Sequence, residues 1–201
     1  MEVPLFPLNT LLLPDGLLAL RIFEARYLDM IRACMRDDNP FGVVMIKEGQ
    51  EVGSPALTYP MGTLATIASW DMQPGGLLHV DVAGGAKFRV TGTRVQADQL
   101  LLGDIETLAP EPALALPEQY RYMATMLGDL LPRIHPLYKS RTLQLNDASW
   151  VGCRFTELLP LYPADKQALV ELDDPHARLQ ILDRSFVALQ RQQAEDGEKA
   201  S

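Results

Sequence analysis

Residues Pro4–Tyr27 read PLFPLNTLLLPDGLLALRIFEARY, and this stretch decides the fold. Pro4 and Pro7 hold an extended lead-in, because proline fixes its own φ and disfavours the helical region for the residue before it. Val3–Leu8 is therefore a short apolar strand. Pro14-Asp15-Gly16 is a turn, and Leu17–Ile22 is a second strand. The pattern then changes period. From Phe23 to Met35 the apolar residues Phe23, Tyr27, Ile31 and Met35 recur every four positions with Leu28 alongside, which is one face of a helix. Arg26, Asp29, Arg32 and Arg36 take the other side, and Asp37-Asp38-Asn39-Pro40 stops the helix.

Outward from this corner, the first half continues as strands. Phe41–Ile46, Leu64–Trp70, Leu77–Ala83, Phe88–Val95 and Leu100–Leu108 are β-prone runs separated by Gly and Pro turns. Leu78, Val80 and Val82 alternate with His79 and Asp81, the mark of a half-buried strand. Gly84-Gly85 is expected to turn the chain out of that strand. Many short strands with few helices suggest a small barrel or folded sheet. A proline-rich connector, Ala109–Pro117, precedes a second half that reads as helix. Its helices are expected at Pro117–Ile134, Asp147–Leu159, Ala164–Leu172 and Asp174–Gln193, followed by a polar tail over 194–201. The expected division is a β subdomain over 1–110 and a helical subdomain over 117–193.

Composition narrows the function. The chain has 201 residues, 47% hydrophobic and 22% charged, enough to bury a core without staples. Cys34 and Cys153 fit small core residues in a reducing compartment, and their spacing leaves a disulfide open. No apolar run reaches the ~18 residues that a membrane span needs. Met1-Glu2-Val3-Pro4 has no basic n-region, so the chain is expected in the cytoplasm. The net charge of −8, with no Lys/Arg cluster, disfavours nucleic acid.

Catalytic patterns are missing. The sequence has no Gly-Lys pair, no G-x-G, no H-E-x-x-H, no C-x-x-C and no G-x-S-x-G. His79, His135 and His176 share no local metal-ligand spacing. Lys139-Ser140 reads as solvated surface, and Asp37-Asp38 and Asp173-Asp174 read as helix ends. The expectation is no catalytic residue, no metal and no cofactor.

The opening segment resembles the start of the N-terminal, substrate-binding domain of Lon proteases. The residues that carry the likeness are Pro4–Leu8, Leu13–Gly16 and Leu20–Leu28. It continues through Phe41–Val44, Gly49, Glu51–Gly53, Gly62-Thr63, Ile67 and Gly85–Val90. In the second half it runs through Leu158–Leu161, Lys166–Glu171 and Arg178-Leu179. Lys87 stands where the family usually has Arg. The resemblance implies an α+β fold: a PUA-like β-barrel with one inserted helix, then a C-terminal helical bundle. Similar barrels occur in cereblon and in RNA-binding PUA proteins. It also implies a recognition module without the ATPase and protease modules of full-length Lon. Its partners would be unfolded or partly folded polypeptides, with a protease or chaperone as a further partner. A PUA-like nucleic-acid binder and a small-molecule sensor are the alternatives.

Within the opening motif, Arg21, Glu24, Arg26 and Tyr27 are expected to lock the strand-to-helix corner. Phe6, Ile22, Phe23 and Tyr27 are expected in the core. Recognition of unfolded clients asks for exposed apolar surface. The candidates are Trp70, Met72 and Leu77 around one turn, and Tyr120, Tyr122, Met123 and Met126 on the first helix of the second half. Taken singly, each of these residues reads more readily as an ordinary core residue.

Overall fold

The computed structural model describes the backbone of residues 1–199 and the side chains of residues 1–195. The class is α+β: six strands in one mixed sheet and five α-helices among the described residues. The strands are β1 (Glu2–Leu8), β2 (Leu17–Ile22), β3 (Phe41–Glu48), β4 (Leu57–Met72), β5 (Leu78–Val95) and β6 (Leu101–Thr107). Helix α1 (Ala25–Asp37) lies between β2 and β3. Helices α2 (Arg121–Ile134), α3 (Ala148–Leu158), α4 (Pro163–Glu171) and α5 (Pro175–Lys199) follow the last strand. The polar tail expected from residue 194 is helical as far as Lys199, and residues 200–201 lie outside the described residues.

Sheet order is β2-β5-β4-β3-β1-β6, and β5 also pairs with β6. The pairings β5–β4–β3–β1–β6 thus return to β5, with β2 left at an edge. Only β1 and β3 run parallel, because α1 carries the chain across between β2 and β3. Strand β5 serves two neighbours in turn. Its first part pairs with β2, from Leu17 opposite Ala83 to Ile22 opposite Leu78. Its second part pairs with β6, from Phe88 opposite Thr107 to Val95 opposite Leu101.

Two strand boundaries differ from the sequence expectation. Gly84-Gly85 does not end a strand; β5 passes straight through it. A Cβ on Gly84 would sit 2.1 Å from the Leu13 carbonyl oxygen, so the glycine serves a close backbone approach. Strand β4 begins at Leu57, well before Gly62. Pro60 hides that start in the sequence, but it falls in an irregular stretch of the β3–β4 ladder where no donor is required.

The core forms on both sides of the strand–helix junction. Phe6, Leu20, Ile22, Tyr27, Ile31, Phe41 and Val80 belong to one buried cluster under α1. Met123, Leu127, Leu131, Trp150, Phe155 and Leu179 belong to another among the helices. Leu11, Leu13, Met45, Met61, Cys153 and Val170 form a third cluster that draws on both halves. Both cysteines are free and buried.

Candidate functional site

The Pro14-Asp15-Gly16 turn is tied to the helices. Gly16 N–H donates to Leu13 O at 2.9 Å, and Asp15 takes φ 63°. The fully buried Arg154 and its neighbour Glu157, both on α3, then hold the backbone N–H and C=O of Leu13. Leu13 N–H donates to Glu157 Oε1 at 2.7 Å, and Arg154 Nη2 donates to Leu13 O at 3.3 Å. Arg154 Nε and Nη2 also hold the Glu157 carboxylate, at 2.7 and 2.9 Å. A Cβ on Gly16 would lie 2.4 Å from Glu157 Oε1, so only glycine fits under this clasp.

A second clasp pins the connector. Glu111 accepts both Nη groups of Arg178, at 2.7 and 2.6 Å, and Lys87 Nζ at 2.7 Å. Ser149 donates its hydroxyl to the same carboxylate. Burial works to raise the Glu111 carboxyl, but Arg178, Lys87 and Ser149 outweigh it and hold its pKa at about 2. Lys87 therefore answers one carboxylate together with Arg178, and also donates to Val170 O at 3.2 Å.

At the corner, Glu24 is the N-cap residue of α1 and makes no side-chain cap bond. Its carboxylate pairs with Arg26 Nη2 at 2.8 Å instead. Arg26 Nη1 reaches Gln99 O at 2.9 Å, and the guanidinium lies 4.7 Å from the Tyr27 ring centre. Arg26 is buried, not on the solvent side of α1 as the four-residue spacing predicts. The buried face is Tyr27, Met30, Ile31 and Cys34, which rotates the expected stripe. Met35 is exposed. Phe23 is 61% exposed and outside the core, because the helix starts at Ala25 and helical periodicity does not apply to residue 23. Arg21 is exposed on β2, apart from the Glu24–Arg26 pair.

The surface candidates separate. Trp70 is 55% and Met72 47% exposed, near the end of β4, and Leu77 is half-buried just before β5. Ile22 lies opposite Leu78, and Leu78 opposite Met72. Phe23, one residue beyond Ile22, is thus at the same end of the sheet as Trp70 and Met72. The structure removes Tyr120 and Met123 from any surface: both are buried in the helical core. Tyr122 is half-buried, stacks on Phe186 and donates to Asp183 at 2.8 Å. Met126 is exposed.

Sequence reasoning misses several exposed apolar side chains, among them Phe23, Val52, Leu130 and Ile134. The α2 pair carries a readable signal. Tyr122, Met126, Leu130 and Ile134 recur every four residues, immediately beside the buried row Met123, Leu127 and Leu131. Two adjacent apolar rows on one helix exceed what a single core face needs. Val52 and Phe23 flank a groove of about 380 Å³ beside β2, floored by Phe6, Leu20 and Tyr27.

Residues 2–184 match the family model described as the ATP-dependent protease La (LON) substrate-binding domain. The chain belongs to the Lon substrate-binding domain family. Among solved structures it is similar to a Lon N-terminal domain protein from Xanthomonas campestris. That likeness has 35% identity and a TM-score of 0.73, and covers 90% of this chain and 96% of that one. The N-terminal domain of a Mycobacterium avium complex Lon protease shares the fold at 17% identity, with a TM-score of 0.59 and coverage of 92% and 97%. Among curated proteins no match reaches significance. In this Lon-family chain, no helix among the described residues is long and apolar enough to cross a membrane. Two of the three histidines serve separate partners: His135 meets Asp81 at 3.1 Å, and His176 meets Ala115 O at 3.3 Å.

Proposed function

We propose that this chain binds unfolded or partly folded polypeptides through apolar surface, as an adaptor or chaperone-like recognition module. The ring of strands over 1–110 would be its PUA-like barrel, and residues 117–193 its helical bundle. The observation that carries the reading is that Phe23, Trp70 and Met72, all exposed, lie at the same end of the sheet. Large apolar side chains gathered on a surface mark interaction sites, and methionine adapts to varied partners. Membership in a family described by substrate binding supports the same reading. The acidic balance, net −8, disfavours nucleic acid.

The test is a triple substitution, Phe23→Ser, Trp70→Ser and Met72→Ser. Binding of a reduced, carboxymethylated protein that cannot refold is followed by fluorescence anisotropy. Affinity is expected to fall by at least about tenfold with the melting curve nearly unchanged. Undiminished binding sinks this surface as the recognition site.

A further inference from the structure

We propose that the free edge of β2, at Ala19 and Arg21, takes an extended polypeptide segment as an added strand. One apolar side chain of that segment would seat in the groove between Phe6, Leu20, Tyr27 and Val52. This rests on the polypeptide-binding reading and adds to it a site, a backbone conformation and a side-chain pattern.

Strand β2 pairs on one side only, with β5. Gly84 N–H donates to Gly16 O at 2.9 Å, which sets the alternation of the antiparallel ladder. Leu18, Leu20 and Ile22, opposite Val82, Val80 and Leu78, then direct their backbone groups toward β5. Leu17, Ala19 and Arg21 direct theirs away. Leu17 confirms this direction, since its N–H meets Tyr138 Oη at 3.0 Å on the side away from β5. Tyr138 therefore caps one end of the edge. Ala19 and Arg21 are exposed, and their outward backbone groups have no partner among the described residues.

Two donors and two acceptors in strand spacing are matched by another extended backbone, which offers the same groups at the same repeat. The groove of about 380 Å³ runs beside the same residues. Glu51 accepts from Asn9 N–H at 2.7 Å, which holds the β3–β4 loop so that Val52 forms the groove wall. In an added strand, the residue opposite Leu20 shares its face and enters the groove. Its two neighbours lie on the other face beside Ala19 and Arg21, where the Arg21 cation favours an acidic or polar residue. The recognised segment is thus extended, with an apolar residue flanked by acidic or polar ones.

The test uses the 201-residue chain and a labelled peptide that alternates valine with threonine and aspartate. Two isomers of this peptide carry backbone N-methyl groups on alternate residues, each isomer blocking one edge. One isomer is expected to bind at least about tenfold more weakly than the other. Ala19→Pro removes an outward N–H without touching the β5 ladder. It is expected to weaken the unmethylated peptide about tenfold and to leave the melting curve in place. Should that variant fail to fold, the isomer pair still decides, because it leaves the protein unaltered. Equal binding of the two isomers overturns strand addition, as does full affinity in a folded Ala19→Pro. The carboxymethylated protein is measured alongside. If it binds while the isomers bind alike, the polypeptide-binding reading survives without this site; if neither it nor any peptide binds, both fall. A dimer that Ala19→Pro abolishes, without peptide binding, assigns the edge to a second copy and overturns the proposal.

Discussion

The opening segment has two ends with opposite fates. At Leu11–Leu13 and Gly16 the chain is buried against α3, with Arg154 and Glu157 holding both backbone polar groups of Leu13. At Ala19–Phe23, a few residues on, one strand edge and a phenylalanine face solvent. Both ends belong to the same family motif, yet one fastens the two halves together and the other presents surface. Motif membership therefore says little about role; the side chains that meet each peptide decide it.

The contrast predicts a steep gradient of mutational cost. Glu157→Ala leaves the fully buried Arg154 cation without its partner and frees the Leu13 N–H. Chemical denaturation should show a loss of about 3–5 kcal/mol, the cost of stranding a buried charge. A loss under about 1 kcal/mol would mean that the clasp does not hold the halves together.

The second clasp should read out in acid. The Glu111 pKa is lowered in the fold from about 4.5 to about 2, so its contribution is fully present above the unfolded value. It is lost as pH falls through the folded value, between roughly pH 5 and pH 2, and amounts to at most about 3 kcal/mol. Glu111→Gln should flatten the stability–pH profile in that window. An unchanged profile would show that other carboxylates carry the acid sensitivity.

Smaller effects belong to the corner. Glu24→Ala removes one partner of Arg26, which keeps Gln99 O and the Tyr27 ring. The expected loss is about 1 kcal/mol in a thermal melt, with client binding retained. Phe23→Ser alone should change stability by less than about 0.5 kcal/mol, since the ring is mostly in water. A large destabilisation by Phe23→Ser would erase the contrast between the two ends of the segment.

Much of the chain is legible without coordinates. Alternation at Leu78–Val82 marks a half-buried strand, and those three apolar residues are indeed buried. Asp147 caps α3 as its residue type suggests, accepting Trp150 N–H at 2.8 Å. Other features escape for definable reasons. A four-residue spacing cannot show that α1 starts at Ala25, so it draws Phe23 into the core and leaves Arg26 outside. Gly84-Gly85 has the composition of a turn, while its function is to admit the Leu13 carbonyl. On α2 the types Tyr and Met at 120, 122, 123 and 126 are alike, and only packing sorts buried Tyr120 and Met123 from exposed Met126.

The sequence by itself determined the α+β order of elements, the strand-to-helix corner and the family, because these depend on local periodicity, turn chemistry and motif. Tertiary structure alone decided which charges are buried, which strand is left at the edge and which apolar side chains remain in water. Those outcomes depend on residues far apart in the chain, such as Leu13 with Glu157 or Lys87 with Arg178 across Glu111. Local pattern carries no information about such meetings until the fold has brought the partners together.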